Sequence, residues 1–164
     1  MSGVGVANLP KTFSPAFTIM GGSRPVRHLT IRYMNSSGPG NDESSITSIH
    51  LEAMKEIIED VANGGREDSG YVIMDVRGHD EIAQTGKLDD VVHTLPLPFI
   101  VEGAFSRDDD EFEEQFGFVK PSLDETLVFT CKAGVRAASA AELAQKAGYT
   151  DILAYAGGSN EWFS

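Results

Sequence analysis

Residues 127–144 constrain the fold most strongly, because they predict a strand, a tight loop and a helix in immediate succession. The apolar and β-favouring residues 127–130 are typical of a short buried strand. The only cysteine of the chain, Cys131, follows that strand directly. Gly134 permits a sharp turn without a Cβ clash, and the alanine-rich residues 135–144 strongly favour a helix.

A thiol in this position has an unusual electrostatic setting. It faces unpaired backbone N–H groups and the positive end of a helix macrodipole, and both favour the nucleophilic thiolate. Lys132 and Arg136 bracket the loop and add positive charge. An isolated cysteine at a strand end is otherwise a small buried core residue. The glycine, the two cations and the abrupt change from strand to helix favour an anion-binding loop with Cys131 as its nucleophile.

The loop sequence Cys131-Lys132-Ala133-Gly134-Val135-Arg136 resembles the C-x-x-G-x-R active-site loop of rhodanese-type sulfurtransferases. Residues 75–77 resemble the upstream D-V-R sequence of that family. Residues 148–149 and 155–162 resemble its closing G-Y and Y-x-G-G-x-x-E-W patterns. The resemblance covers about residues 44–164. The length of the chain and residues 120–121 make it most similar to the thiosulfate:glutathione sulfurtransferase subgroup.

The resemblance implies a rhodanese-like α/β domain in which Cys131 is the catalytic residue. It assigns substrate binding to the remaining loop residues, with Asp75 and Arg77 in supporting roles; the loop residues are Lys132, Ala133, Gly134, Val135 and Arg136. The residues alone allow another role for Asp75, which is to cap the following turn or to pair with an arginine. Arg77 either braces the loop or touches substrate.

The pattern of the whole domain agrees with an α/β fold. Strands are predicted at 46–49, 71–74, 91–97, 127–130 and 151–155, and helices at 50–62, 80–83, 108–116 and 135–147, with a last turn or helix beginning at 161. Residues 63–65 are expected to end the first helix and Gly148 to cap the helix after the loop. Alternating strands and helices predict an open, mainly parallel sheet with helices on both faces. Ligands bind at the carboxyl ends of such strands, so Asp75 and Cys131 are expected to lie near each other.

Residues 1–41 differ in charge from the rest of the chain. They hold four cations, Lys11, Arg24, Arg27 and Arg32, and none of the 25 acids. Basic, serine-containing segments without acids are typical of organelle transit peptides. We interpret the segment as a mitochondrial presequence, with a plastid presequence or a disordered leader of a cytoplasmic protein as alternatives. The domain then spans residues 44–164.

Composition restricts the partners and cofactors. A net charge of −12 opposes binding to nucleic acid or to anionic lipid. No apolar run approaches the roughly 20 residues that span a bilayer. A single cysteine excludes an internal disulfide and is best preserved in a reducing compartment. The four histidines, His28, His50, His79 and His93, lack metal-ligand spacing, so we predict neither a metal site nor another cofactor.

The predicted chemistry is sulfur transfer. The Cys131 thiolate attacks the outer sulfur of a small anionic donor such as thiosulfate, and backbone N–H groups stabilise the resulting persulfide. Arg136 offers planar bidentate hydrogen bonds to the donor, and Lys132 a mobile point charge. Because the chain has no second cysteine, an external thiol such as glutathione or thioredoxin, a cyanide ion or a partner protein must accept the sulfur. The cycle is therefore of the ping-pong type.

Two other functions remain open at this point. A cysteine phosphatase also uses a cysteine and an arginine, but its C-x5-R loop is one residue longer than the C-x4-R spacing here. The shorter loop forms a smaller cradle, which suits one sulfur atom better than a phosphate. A non-catalytic module that binds a partner protein or carries persulfide is the second alternative, because a fold alone does not establish an activity.

Overall fold

The computed structural model describes residues 45–164, and the candidate leader at 1–41 lies outside them. Strands and helices alternate along the chain, which confirms the predicted α/β fold. The elements are β1 (Ser45–Ile49), α1 (Leu51–Ser69), β2 (Tyr71–Asp75), α2 (His79–Thr85), β3 (His93–Thr94), α3 (Leu97–Val101), a 3-10 turn (Ala104–Ser106), α4 (Asp109–Phe116), β4 (Thr126–Thr130), α5 (Val135–Lys146), β5 (Asp151–Tyr155) and α6 (Gly158–Trp162).

The five strands form one parallel sheet in the order β1-β5-β4-β2-β3. Every residue of the two central strands β2 and β4 is buried. In the register of this pair, Asp75 lies opposite Thr130, so the residue after β4, Cys131, follows at the same edge of the sheet. The expectation that Asp75 and Cys131 come from neighbouring strand ends is therefore confirmed.

Helices cover both faces of the sheet, as predicted. Alternate strand residues point to opposite faces, so each face has its own apolar cluster. The first packs against α5 and contains Val72, Met74, Leu127, Phe129, Ile152, Ala137, Ala140, Ala141 and Ala144. The second packs against α1 and contains Tyr71, Ile73, Val128, Leu153, Met54, Ile57, Ile58 and Val61. Small alanine side chains let α5 lie close to the sheet, which places its first turn directly over the end of β4.

Helix α1 is interrupted where the sequence predicts its end. The expected stop at residues 63–65 is confirmed, because Gly65 leaves the helical conformation, with a φ of 83° and a ψ of 169°. The chain then resumes a helical turn up to Ser69. Arg66 fixes that turn, since its guanidinium bonds Glu125 at 2.7 Å and the carbonyl oxygen of Val119 at 2.9 Å. The ion pair with Glu125 thus holds a second helical turn that the sequence did not predict.

The predicted edge strand at 91–97 was too long, since β3 comprises His93 and Thr94 alone. Pro96 and Pro98 cause the difference, because the chain turns at Leu97 into α3, with Pro98 in its first turn. Contact with β2 continues through the Leu95 and Leu97 amides, which donate to the carbonyl oxygens of Asp75 and Val76 at 2.9 and 3.0 Å.

Three predicted helices also needed corrected boundaries. Helix α5 ends at Lys146 and Ala147 occupies its C-cap, so Gly148 is the next residue, with a φ of 111°. The last helix begins at Gly158, three residues before the expected start at 161. Helix α2 extends from His79 to Thr85 and is thus wider than residues 80–83.

Candidate active site

The Cys131 sulfur lies among backbone N–H groups. Its Sγ accepts hydrogen bonds from the amides of Gly134 at 3.0 Å and Ala137 at 3.4 Å. The Ala137 amide belongs to the first turn of α5, where N–H groups have no partner within the helix. The side chain is buried, with 1 % exposure. The sulfur is therefore shielded from bulk water, and the two peptide dipoles that contact it favour a negative charge there.

The loop requires a glycine at position 134. Gly134 has a φ of 94°, in the left-handed region that side chains avoid. A Cβ at this position would also collide with the carbonyl oxygen of Ala156. The chain can therefore bring the Gly134 amide back onto the sulfur because this residue has no side chain.

The first turn of α6 holds the loop from its other side. The Ser159 amide donates to the carbonyl oxygen of Cys131 at 2.7 Å, and the Asn160 amide donates to that of Lys132 at 3.0 Å. This approach depends on Gly158, where a Cβ would come within 2.6 Å of the Cys131 carbonyl oxygen and would collide with that of Lys132. The sequence analysis did not predict this contact, although the paired glycines at 157–158 permit it.

The two cations of the loop have different surroundings. Lys132 is exposed, and within residues 45–164 its ammonium group has no ion-pair partner. Arg136 forms a bidentate pair with Glu81, with Nη1–Oε2 at 2.7 Å and Nη2–Oε1 at 3.0 Å. Hydrogen bonds from Arg136 lower the pKa of Glu81 to about 2, and the Glu81 carboxylate raises the pKa of Arg136. Both terminal nitrogens of Arg136 thus bind a carboxylate of the protein.

The remaining loop residues, Ala133 and Val135, are exposed, Val135 to 74 %. Their side chains extend into solvent, away from the sulfur that the backbone of the loop encloses. These two residues can therefore contact a ligand only through backbone atoms or at the rim of the site. The polar contacts must come from Lys132, Arg136 and the loop amides.

Asp75 and Arg77 form a buried ion pair. The Nη2–Oδ2 distance is 2.7 Å, and Arg77 Nε lies 3.0 Å from both carboxylate oxygens. The guanidinium also donates to Thr85 Oγ1 at 2.7 Å and to the carbonyl oxygen of Gly86 at 3.0 Å. Asp75 is thus the partner of an arginine, and that arginine ties the end of β2 to the last turn of α2.

A cavity of about 330 Å³ opens beside the loop. It lies between α2, the loop and α6, and is lined by Arg77, Glu81, Gln84, Thr85, Lys132, Ser159, Asn160 and Phe163. Three of these residues, Lys132, Arg77 and Glu81, are charged, and the aromatic ring of Phe163 lies at the open side with 47 % exposure. The cavity can therefore accept a small polar or anionic molecule.

The contributions of Glu81 and Gln84 from α2 were not predicted from the sequence. Glu81 lies 55 positions from Arg136, and no motif or spacing relates the two residues. Ser159 and Asn160 were within the recognised closing pattern, but the pattern did not reveal that their amides bind the loop.

Two kinds of feature are absent from the described part of the chain. Within residues 45–164, no three His, Cys, Asp or Glu side chains converge as metal ligands. Over the same residues, none of the helices combines the length and the apolar character needed to cross a membrane.

Comparison with known proteins gives a consistent result. The family described as a rhodanese-like domain matches residues 58–164. A thiosulfate:glutathione sulfurtransferase of Saccharomyces cerevisiae is 33 % identical over 74 % of this chain and 81 % of its own. A putative mitochondrial thiosulfate sulfurtransferase of Schizosaccharomyces pombe is 36 % identical over 58 % of this chain and 65 % of its own. The crystal structure of a single-domain sulfurtransferase of Saccharomyces cerevisiae superposes with a TM-score of 0.61 at 27 % identity, covering 76 % of this chain and 93 % of that one.

Proposed function

Because the chain belongs to the rhodanese-like family, we propose that it is a sulfurtransferase that carries sulfane sulfur on Cys131 as a persulfide. The observation that supports this most directly is the pair of hydrogen bonds from the Gly134 and Ala137 amides to Sγ. Donors fixed in this way stabilise a negative charge without reorganising during the reaction.

In the first half-reaction, the Cys131 thiolate attacks the outer sulfur of thiosulfate. A new S–S bond forms to Cys131, the S–S bond of the donor breaks, and its electron pair leaves with sulfite. The negative charge moves outward by one atom, from Sγ to the terminal sulfur of the persulfide. The loop amides, whose N–H groups are directed towards the sulfur, stabilise that charge in both states.

In the second half-reaction, an external thiolate attacks the terminal sulfur of the persulfide. The acceptor gains the sulfur as its own persulfide, and the electron pair of the broken bond returns to Cys131 as thiolate. No second cysteine exists in the chain to perform this step. We propose glutathione, in keeping with the name of the yeast relative, or a thioredoxin-type thiol as the acceptor. The cavity beside Lys132 is its proposed approach.

The charged residues near the loop then have separate roles. Lys132, exposed at the cavity, draws the anionic donor towards the loop. Arg136 binds the donor when its guanidinium is released from Glu81. Asp75 and Arg77 are positioning residues, because their buried pair fixes the end of β2 beside the loop rather than contacting the sulfur. A persulfide carrier with little turnover of thiosulfate would use the same geometry.

Intact-protein mass spectrometry tests the proposal. Thiosulfate should add the mass of one sulfur atom to the wild-type chain, and glutathione should remove it. Cys131→Ser keeps a side chain that can accept the Gly134 hydrogen bond, so it should fold normally and gain no sulfur. Gain of sulfur by Cys131→Ser, or no gain by the wild type from thiosulfate, glutathione persulfide or a persulfidated partner, would refute the persulfide mechanism. A gain from the last two donors alone would identify a carrier.

We also propose that the protein acts in mitochondria, with residues 1–41 as its presequence. Two observations support this location. The segment is basic and lacks acids, and two relatives carry the word mitochondrial in their names, one from Schizosaccharomyces pombe and one from Saccharomyces cerevisiae.

A further inference from the structure

We propose that Glu81 determines the donor specificity of this site, by competing with the donor for Arg136 and thereby disfavouring dianionic donors relative to monoanionic ones. The inference rests on the proposed sulfur transfer at Cys131 and adds to it a residue outside the loop. Glu81 belongs to α2, lines the cavity beside the loop and binds Arg136 in the first turn of α5.

The geometry leaves Arg136 little capacity for a second anion. Its Nη1 and Nη2 atoms each bind one carboxylate oxygen of Glu81, at 2.7 and 3.0 Å. A guanidinium recognises an anion bidentately through paired N–H groups of this kind. A sulfonate group of a donor that approached Arg136 in the same way would therefore have to replace the Glu81 carboxylate.

The pair is exposed enough to exchange partners. The side chains of Arg136 and Glu81 are 34 % and 41 % exposed, and ion pairs in such surroundings contribute little net stability. The Asp75–Arg77 pair behind it is different, since its two side chains are 2 % and 1 % exposed and its arginine is fully engaged. Of the two arginines, Arg136 is thus the one whose guanidinium can exchange its carboxylate for an incoming anion.

The charges around the cavity explain why the charge of the donor matters. Glu81 neutralises Arg136, and Asp75 neutralises Arg77, so among the described lining residues Lys132 is the cation without an ion-pair partner. One negative charge is matched by Lys132 together with the loop amides. A second negative charge meets the Glu81 carboxylate unless Arg136 is released. Glu81 therefore weakens the binding of thiosulfate, a dianion, more than the binding of a thiosulfonate, a monoanion.

The test compares Glu81→Gln with Asp80→Asn. The Glu81→Gln change removes the charge but keeps an oxygen that accepts the Gly78 amide, a contact of 3.4 Å in the wild type. Asp80 is the preceding residue of α2 and is exposed, so Asp80→Asn removes the same charge from the same helix without touching Arg136. Steady-state KM values are measured for thiosulfate and for benzenethiosulfonate, and the readout is the ratio of the two.

We expect Glu81→Gln to lower the KM for thiosulfate about three- to fivefold, the scale of a partly exposed ion pair. The KM for benzenethiosulfonate should change less than about twofold, and Asp80→Asn should leave both values within that range. A merely structural role of Glu81 would move the two KM values together. An equal change for both donors, no change, or a higher KM for thiosulfate would overturn the proposal.

Equilibrium binding separates this inference from the proposed function. In the Cys131→Ser background, titration calorimetry with thiosulfate measures donor binding without turnover, and adding Glu81→Gln should tighten it by the same three- to fivefold. Failure of the wild-type protein to form a persulfide would refute the proposed function alone. Unchanged thiosulfate binding, or binding in neither protein, would refute the role of Glu81.

Discussion

Arg77 encloses the carboxylate of Asp75, with Nη2 at 2.7 Å from Oδ2 and Nε at 3.0 Å from both oxygens, and both side chains are almost fully buried. Because the same guanidinium also binds Thr85 and the carbonyl oxygen of Gly86, this one pair joins the end of β2 to α2. It thereby fixes one wall of the cavity beside the loop. The D-V-R sequence thus has a structural explanation.

The first prediction concerns Asp75→Asn. The change leaves the buried Arg77 charge without its counter-ion, so we expect the free energy of unfolding to fall by about 3–5 kcal/mol. Urea denaturation at neutral pH measures the loss. Asp109→Asn is the control, since Asp109 is 85 % exposed and lies 3.7 Å from Lys120, and should cost less than about 1 kcal/mol. Equal losses in the two variants would show that Thr85 and Gly86 suffice to hold Arg77.

The second prediction concerns the contact between α6 and the loop. In Gly158→Ala the new Cβ would collide with the backbone of Lys132 and come within 2.6 Å of the Cys131 carbonyl oxygen, so the loop must shift. Because small displacements of a reacting group are costly, we expect sulfur transfer to fall by about a hundredfold. Turnover of thiosulfate to glutathione persulfide measures the effect.

Gly117→Ala is the matched control for that variant. Gly117 also has a left-handed conformation, with a φ of 82°, but a Cβ there would meet nothing within 4 Å. Backbone strain should therefore cost both variants about 1–2 kcal/mol of stability, and Gly158→Ala should lose more because of its collision with Lys132. Gly117→Ala should keep full activity. Equal activities of the two variants would show that the α6 contact does not position the loop.

Much of the fold could be predicted because its central signals are local. Strands β2, β4 and β5 are continuous apolar runs, and the turn at Gly134 separates β4 from an alanine-rich helix within a few residues. Errors occurred where a distant contact or a proline decided the outcome. Arg66 holds an unpredicted helical turn after the glycines by binding Glu125, and the prolines at 96 and 98 convert the end of an expected strand into α3.

The candidate site shows the same division between local and distant signals. The loop around Cys131 and the pairing of Asp75 with an arginine two positions away are readable from short stretches of sequence. The contact between Glu81 and Arg136 is not, because it joins two helices that only the parallel order of β2 and β4 brings together. A motif identifies the sulfur and its amides, whereas the electrostatics of the cavity depend on the tertiary structure.

A third prediction concerns residues 1–41, whose basic and acid-free composition favours a presequence. A fusion of these residues to a fluorescent protein should enter mitochondria, and a chain that lacks them should stay in the cytosol with its sulfur transfer unchanged. Microscopy and fractionation measure import, and replacement of Arg24, Arg27 and Arg32 by glutamine tests the basic charges. Import of the shortened chain would refute the presequence.

The last prediction is a pH dependence of stability that originates at His93. Its ring stacks on Phe118, with centroids 4.2 Å apart and planes at 8°, and burial, assisted by Arg66 and Lys87, lowers its pKa to about 4. The unfolded chain binds this proton below about pH 6.5, whereas the folded chain resists it down to about pH 4. The contribution of the neutral His93 to the free energy of unfolding is thus complete above pH 6.5 and is lost as the pH falls towards 4.

His93→Phe isolates this effect from that of the carboxylates, which also titrate in acid. The phenyl ring can keep the stack on Phe118 but binds no proton, so the variant should lose less stability than the wild type between pH 7 and pH 4.5. Urea denaturation of both proteins across that range gives the difference. Parallel curves would show that His93 takes up its proton equally easily in the folded and unfolded chains, and that its burial against Phe118 does not oppose the charge.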